Sequence, residues 1–197
     1  THDRNEALRL SDRIAVMEGG RIAQMDRPAV VMNRPVDEFV ASFVGTETIL
    51  SGRIRENRRG TLTVVVNGRE IEAVGEAPAG EEVVLCIRPE NVTLAMSGHA
   101  QTTSARNTFT GRIERIVPMG PYQRVHLDCG FPLVAYVTSQ SLEAMGLIED
   151  LQVGASVKAT AIHVIRHGRS PAGARWAAGT PPGEEAPPAA GGNTGTP

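Results

Sequence analysis

The stretch from Ser104 to Ile165 contains the residues of this chain whose types suit the binding of a small anion. It opens with Ser-Ala-Arg-Asn at positions 104–107, continues to Thr-Ser-Gln-Ser at 138–141, and has Lys158 in an otherwise apolar segment near its end. A tetrahedral anion needs several short hydrogen-bond donors and limited positive charge, which hydroxyl, guanidinium, ammonium and backbone N–H groups supply. No nucleophile or acid–base pair accompanies these residues in the sequence. The stretch is therefore predicted to hold an anion and not to transform one.

The same residues also have structural interpretations. Thr138 and Ser141 are placed to cap a short helix predicted within 139–147, and a helix N-terminus itself attracts anions, so the two roles are compatible. Lys158 could be an outward-facing lysine that protects a strand edge, and Arg106 could order a loop. Both interpretations of each residue stay open at this point.

The histidines of this stretch are not predicted to form a site. No second ligand lies at metal spacing from His163, and no nucleophile accompanies His126 and Asp128 on their strand. We interpret His163 as structural and His126 and Asp128 as surface residues, so neither a metal site nor a catalytic centre is predicted.

The composition describes a globular chain with few aromatic residues. Hydrophobic residues make up 41% of the 197 residues and aromatic residues 4%, so the core must consist mostly of Val, Ile, Leu and Ala. The net charge of −2 gives no reason to expect a nucleic-acid partner. Cys86 and Cys129 lie in apolar runs and are predicted to be free thiols in a reducing compartment. No signal peptide and no apolar run of about 20 residues occurs, so we expect a soluble intracellular chain.

An internal repeat suggests two modules of the same plan. Ser51-Gly52-Arg53-Ile54 is echoed by Thr110-Gly111-Arg112-Ile113, and the run from Gly80 to Ile87 is echoed by the run from Gly154 to Ala161. Strand-like runs and an Asn67-Gly68 hairpin signal fill the first copy. The predicted fold class is mainly β, with two tandem OB-like five-stranded β-barrel modules that follow the end of an α/β domain. The predicted divisions are the α/β end at 1–47, the modules at 48–99 and 100–167, and a disordered Pro/Gly/Ala tail at 168–197.

The N-terminal segment follows the pattern of a known family. The matching residues are Thr1-His2-Asp3, Glu6-Ala7, Leu10 to Met17, Gly20-Arg21-Ile22 and Arg34-Pro35. This segment resembles the C-terminal end of ABC-transporter ATPase subunits, those of importers with a C-terminal regulatory extension. The resemblance implies that His2 is the switch histidine, which contacts the γ-phosphate of ATP in the intact subunit.

The ATPase resemblance is incomplete. The sequence contains no G-x-x-x-x-G-K-[ST] phosphate loop and no signature motif. We therefore expect ATP and magnesium only in the intact parent subunit, and no ATP hydrolysis by this chain alone. Because the chain begins without Met and within this pattern, we expect a fragment of a longer protein.

A second resemblance covers the anion-binding stretch itself. The matching residues are Ser104 to Asn107, Gly111, Gly130 to Ala135, Thr138 to Ser141, Leu147 and Lys158 to Ala161. They resemble molbindin and the related TOBE-type module of molybdate and tungstate importer ATPases. The resemblance implies that the anion is held by Ser104, Arg106, Thr138, Ser141 and Lys158. Many relatives have Ser where this chain has Ala159, so one donor is missing, or Thr160 or a backbone N–H group replaces it.

Together these resemblances imply the C-terminal regulatory portion of the ATP-binding subunit of a molybdate or tungstate importer. Such a subunit is expected in the cytoplasm, peripheral to the inner face of the membrane, as a homodimer through its ATPase and β modules that contacts transmembrane permease subunits. One alternative is the same architecture in a sulfate, sugar or polyamine importer, with an extension that docks a regulator and senses no anion. Another is a free-standing molybdate-storage or molybdate-responsive protein, which the ATPase-like segment at 1–47 disfavours.

Overall fold

The computed structural model describes residues 6–7, 10–96 and 104–166. His2 and the tail at 168–197 therefore lie outside the described residues. Among the described helices, none has the length and apolar character needed to cross a membrane.

The described chain begins with a small α/β unit. A hairpin of β1 (Ile14–Glu18) and β2 (Arg21–Asp26) precedes helices α1 (Pro28–Asn33) and α2 (Glu38–Phe43). Asp37 caps α2, because its carboxylate accepts the Val40 N–H at 2.8 Å. Four valines of the hairpin and helices form the buried centre of this unit: Val16, Val31, Val40 and Val44.

Within the described part of the chain, ten further strands form the β modules. The first repeat contributes β3 (Thr48–Arg58), β4 (Thr61–Val66), β5 (Arg69–Val74), β6 (Glu82–Ile87) and β7 (Val92–Met96). The second contributes β8 (Asn107–Pro118), β9 (Tyr122–Asp128), β10 (Pro132–Thr138), helix α3 (Ser139–Met145), β11 (Gln152–Val157) and β12 (Ile162–Arg166). A 3-10 turn joins the last two strands of each repeat, turn 1 at Pro89–Asn91 and turn 2 at Ala159–Ala161.

The two repeats exchange their last strands. One sheet has the order β12-β6-β3-β4-β5 and the other β10-β9-β8-β11-β7. The predicted five-stranded modules are confirmed, yet each sheet takes its fifth strand from the other repeat, because each 3-10 turn leads the chain across to the neighbouring sheet. Divisions at 48–99 and 100–167 therefore do not separate the two sheets, and one hydrophobic core extends through both.

The strand registers give the correspondence between the repeats. Thr48 pairs with Ile87 at the end of the first sheet's central ladder, and Asn107 pairs with Val157 at the same place in the second. Ile87 therefore corresponds to Val157, and the match of Ile87 to Ala161 that the glycines predicted is wrong. Gly80 and Gly154 are not equivalent positions, because loops that precede strands tolerate insertions and differ in length between the repeats.

Small residues and thiols complete the core. A Cβ on Gly52 would lie 2.6 Å from Val64 Cγ1, and one on Gly111 would lie 2.5 Å from Cys129 Sγ, so both repeats need glycine at this point of their long first strand. Cys86 and Cys129 are buried and unpaired, which confirms the predicted free thiols.

Candidate functional site

Arg106 and Lys158 flank the last residue pair of the ladder between β8 and β11. Asn107 and Val157 form the last pair of this antiparallel ladder, so Arg106 before one strand and Lys158 after the other leave the sheet side by side. Ser104 is exposed two residues earlier. Lys158 is exposed at the start of turn 2, and its ammonium group forms no ion pair within residues 10–96 and 104–166. Three of the five predicted anion ligands are therefore placed at one end of one ladder.

Arg106 contacts the other repeat. Its guanidinium donates to Glu72 Oε2 on β5 at 3.2 Å, with the two side chains 63% and 38% exposed. An ion pair this exposed contributes only about 0–1 kcal/mol, because water screens both charges. Glu72 therefore orders Arg106 weakly and can be displaced by a better anion.

Asn107 fixes this loop against β5. Its Nδ2 donates to the Glu72 carbonyl at 2.8 Å, and its Oδ1 accepts the Glu72 N–H at 2.7 Å, with the Asn107 side chain buried. The amide thus makes the pair of bonds that a neighbouring strand would make. Sequence reasoning assigned no role to Asn107; its place at the end of the Ser-Ala-Arg-Asn run, directly before a strand, was the available signal.

Thr138 and Ser141 lie at the end of β10 and form the start of α3. Thr138 Oγ accepts the Ser141 N–H at 3.1 Å and donates to Ser141 Oγ at 2.9 Å. This geometry confirms the interpretation of the two residues as a helix cap. Gln123 Nε2 donates to Ser139 Oγ at 3.0 Å and ties the same turn to β9.

The five predicted ligands form two groups within one copy of the chain. Arg106 contacts β5, and turn 2, which begins after Lys158, packs on the same strand. Thr138 and Ser141 lie at the end of β10, on which turn 1 packs. Within the described residues no hydrogen bond or ion pair joins the two groups.

The first repeat has a corresponding place next to β10. Thr48, at the position of Asn107, accepts the Val134 N–H with its hydroxyl at 3.0 Å. Glu47 precedes it, accepts a hydrogen bond from Tyr136 Oη and forms an ion pair with Arg124 at 3.0 Å. Thr48 thus fixes the first repeat's loop to β10 as Asn107 fixes the second repeat's loop to β5.

A cleft of about 910 Å³ opens beside Glu47. Arg88 lies in its wall at the start of turn 1, donates to the Met32 carbonyl, and forms an ion pair with Glu90 at 3.3 Å. Tyr122 and Tyr136 also line the cleft and stack with 4.2 Å between their ring centroids.

Comparison with known proteins identifies the second repeat. A family model described as the TOBE domain matches residues 103–164. This part of the chain is a TOBE domain.

Curated relatives extend the match beyond the TOBE domain to most of the chain. The chain is 39% identical over 171 residues to the molybdate/tungstate import ATP-binding protein WtpC of Pyrococcus horikoshii, which covers 83% of this chain and 45% of the relative. The spermidine/putrescine import ATP-binding protein PotA of Trichodesmium erythraeum is 36% identical over 131 residues, covering 62% of this chain and 34% of the relative. The chain thus spans less than half the length of these curated relatives. The predicted resemblance to importer ATP-binding subunits with a TOBE extension is confirmed.

A solved structure shares the arrangement of the β modules. The cytoplasmic molybdate-binding protein ModG, in a form with molybdate bound, matches with a TM-score of 0.54 at 21% identity, over 61% of this chain and 96% of ModG. At this identity the likeness concerns the fold. It confirms the mainly β class with paired OB-like modules.

Burial shifts the pKa values of two residues on β9 and β10 of the TOBE domain. Burial, followed by the hydrogen bond to Glu47, raises the pKa of Tyr136, which therefore remains a neutral donor at physiological pH. Burial and then the charges of Arg115 and Arg124 lower the pKa of His126. His126 is half-buried, and its Nε2 is buried without a hydrogen-bond partner among the described residues, so its interpretation as a surface residue is wrong.

His163 joins the TOBE domain to the N-terminal unit. Its Nε2 lies 2.8 Å from the Pro35 carbonyl, and burial lowers the pKa of the imidazole. The neutral ring with its proton on Nε2 makes this bond, which confirms the structural interpretation of His163.

Proposed function

We propose that this chain is the C-terminal regulatory portion of the ATP-binding subunit of an importer for molybdate or tungstate, and that its TOBE domain binds the oxyanion. The observation that carries the proposal is the position of Arg106 and Lys158 directly after the last pair of the β8–β11 ladder, with Ser104 exposed two residues before Arg106. Lys158 is the single lysine of the sequence.

The chemistry of this place suits a tetrahedral dianion. Two cationic groups of different shape, a hydroxyl and the backbone N–H groups of a loop offer many donors within a small space. The Arg106–Glu72 ion pair is weak, so a dianion that contacts both cations can replace the carboxylate.

Thr138 and Ser141 enter the proposal through a second copy of the chain. Within one copy their hydroxyls cap α3 beside β10, away from the bonds of Arg106. A homodimer that brings the β10 end of one copy to the β5 side of the other would add these hydroxyls to the anion pocket. The relation of this chain to WtpC supports the oxyanion as cargo.

The regulatory mechanism follows from differential binding. An anion that binds one arrangement of the subunits better than another shifts the equilibrium by the ratio of its two affinities. We propose that cytoplasmic oxyanion stabilises an arrangement that resists closure of the ATPase dimer and so limits import.

In the intact subunit His2 would be the switch histidine and would contact ATP bound with magnesium. The subunit would sit on the cytoplasmic face of the membrane against its permease partners.

A second candidate function is the same extension in a polyamine importer. It is favoured by the relatives named as spermidine/putrescine import ATP-binding proteins, one of them 36% identical. In that case the anion pocket has no role, and the extension acts as a docking platform.

Calorimetric titration of the full chain distinguishes the two candidates. Tungstate and molybdate are expected to bind more tightly than sulfate, while spermidine gives no heat. Lys158→Ala should abolish the heat, and Arg53→Ala, which removes an exposed arginine paired with Glu82, should leave it unchanged. A folded chain that takes up none of the three oxyanions would end the oxyanion proposal and favour the second candidate, a docking extension without an anion site.

A further inference from the structure

The correspondence between the repeats relates Glu47 to Arg106. Both residues directly precede the last pair of the central ladder, Thr48 with Ile87 in one sheet and Asn107 with Val157 in the other. By the same registers Arg88 corresponds to Lys158. The two repeats therefore have equivalent positions before their first long strands. The first repeat has the Glu47 carboxylate at this position, and the second has the Arg106 guanidinium.

The groups around Glu47 are those of an anion site. Arg124 forms an ion pair with its carboxylate at 3.0 Å, and Tyr136, which stays neutral, donates its hydroxyl to the same oxygen. Both charged side chains are largely withdrawn from water, since Glu47 is 21% and Arg124 29% exposed. A carboxylate accepts the same charge-assisted hydrogen bonds as an inorganic oxyanion.

One donor beside Glu47 has no hydrogen-bond acceptor among the described residues. Arg124 Nε is buried and has no hydrogen-bond partner among the described residues. Arg88 stands in the wall of the same cleft and uses its donors on a backbone carbonyl and on Glu90. The cleft thus holds two arginines, a phenol and the carboxylates of Glu47 and Glu90, and its volume can accommodate a tetrahedral anion in place of the Glu47 carboxylate.

We propose that the Glu47 carboxylate occupies a second oxyanion site, formed by Arg124, Tyr136 and Arg88, as an intramolecular anion. The chain then offers one open position, at Arg106 and Lys158, and one that is closed by its own side chain. This inference rests on the proposed function for the open position, while the closed site rests on the Glu47 contacts alone.

Removal of the carboxylate should open the closed site. In Glu47→Ala, Arg124 loses its ion-pair partner and Tyr136 its hydrogen-bond acceptor. Because these donors are little exposed to water, they should favour an external anion. Glu47→Gln keeps the shape and one acceptor but removes the charge, so it should open the site less completely. Glu82→Ala is the matched control, because it removes an exposed carboxylate that pairs with Arg53 far from the cleft.

Equilibrium dialysis of the full chain against tungstate provides the test. Glu47→Ala is expected to bind one more tungstate per chain than the unchanged protein and Glu82→Ala, and addition of Arg124→Gln should remove that gain. If Glu47→Ala does not fold, as judged by near-ultraviolet circular dichroism, the count for Glu47→Gln decides. Folded Glu47 variants that bind no more tungstate than the unchanged protein would overturn the proposal.

The outcomes separate this inference from the proposed function. Extra tungstate in the Glu47 variants of a chain that binds none when unchanged would support the closed site and remove the open one. Binding that Lys158→Ala abolishes, with no gain in either Glu47 variant, would leave the proposed function and remove the closed site.

Discussion

The Asn107 side chain pairs with the backbone of Glu72 as a strand residue would, accepting its N–H at 2.7 Å and donating to its carbonyl at 2.8 Å. Thr48 of the first repeat makes the corresponding contact to the second repeat, where its hydroxyl accepts the Val134 N–H at 3.0 Å. Each repeat is thus attached to an edge strand of the other through one side chain at the start of its own first long strand. These contacts hold the loops that carry Arg106 and Glu47 in equivalent places.

Asn107→Ala should destabilise the protein by about 1–3 kcal/mol, since both Glu72 backbone groups would lose their partner. Asn107→Asp should also destabilise it, because a carboxylate oxygen would replace the donor that faces the Glu72 carbonyl. Thr108→Ala, an exposed change on the same strand, is the control and should stay within about 0.5 kcal/mol. Urea unfolding of the three variants measures these differences, and equal stability of Asn107→Ala and Thr108→Ala would contradict the role of the amide.

Gly52→Ala should destabilise the protein because the added methyl group has no room. Its Cβ would lie 2.6 Å from Val64 Cγ1 and 2.9 Å from the Val65 carbonyl oxygen, and overpacking of this kind costs about 1–3 kcal/mol. In Gly154→Ala the nearest atom is the Ala95 carbonyl oxygen at 3.6 Å, so this strand substitution should be tolerated. Thermal unfolding of both variants makes the comparison, and a loss in Gly154→Ala as large as that in Gly52→Ala would refute the steric explanation.

Local sequence patterns predicted most of the fold. The Asn67-Gly68 pair has positive φ angles of 47° and 78°, as a type I′ hairpin turn requires, and it joins β4 and β5 as predicted. The strands, the inserted helix and the five-stranded modules follow from similar short-range signals. What the sequence could not predict is the exchange of β7 and β12, because the residues of a strand after a tight turn are the same whichever sheet it joins.

For the candidate site, the sequence predicted the local features but not the contacts between the repeats. Thr138 and Ser141 are a helix cap that their spacing along the chain reveals. Their separation from the bonds of Arg106 depends on the side-chain contacts of Asn107 and Thr48 across the repeats, which no local pattern encodes. The role of Glu47 was hidden because its correspondence to Arg106 appears only once the strand registers are known.

The thiols should be nearly inert in the folded protein. Burial raises the pKa of Cys86 to about 12, with a further contribution from the charge of Glu38, and raises that of Cys129 to about 11. Because the thiolate is the reactive form, an aromatic disulfide reagent should modify neither thiol at neutral pH until urea unfolds the chain. Two thiols that react at once without denaturant would contradict the burial.

The Cys86 pKa also predicts a loss of stability in alkali. The folded state favours the protonated thiol, so its contribution is fully present below about pH 9, the usual thiol range, and is lost as the pH rises to about 12. Urea unfolding across this interval should show a shallower decline for Cys86→Ala than for the unchanged protein. Parallel declines in the two proteins would assign the alkaline loss to other groups.

The single lysine allows a direct test of the anion position. Reductive methylation with isotopically labelled formaldehyde would mark Lys158 and the α-amino group alone, and it keeps the positive charge. Tungstate should shift the Lys158 methyl resonance at concentrations where chloride does not. Arg106→Ala should require at least about tenfold more tungstate, since a charge-assisted hydrogen bond is worth about 1.5–3 kcal/mol. Arg53→Ala should leave the midpoint unchanged, because Arg53 lies on the first sheet and pairs with Glu82. A resonance that stays in place while calorimetry detects tungstate binding would move the anion away from Lys158 and towards another cation, such as Arg88 or Arg124.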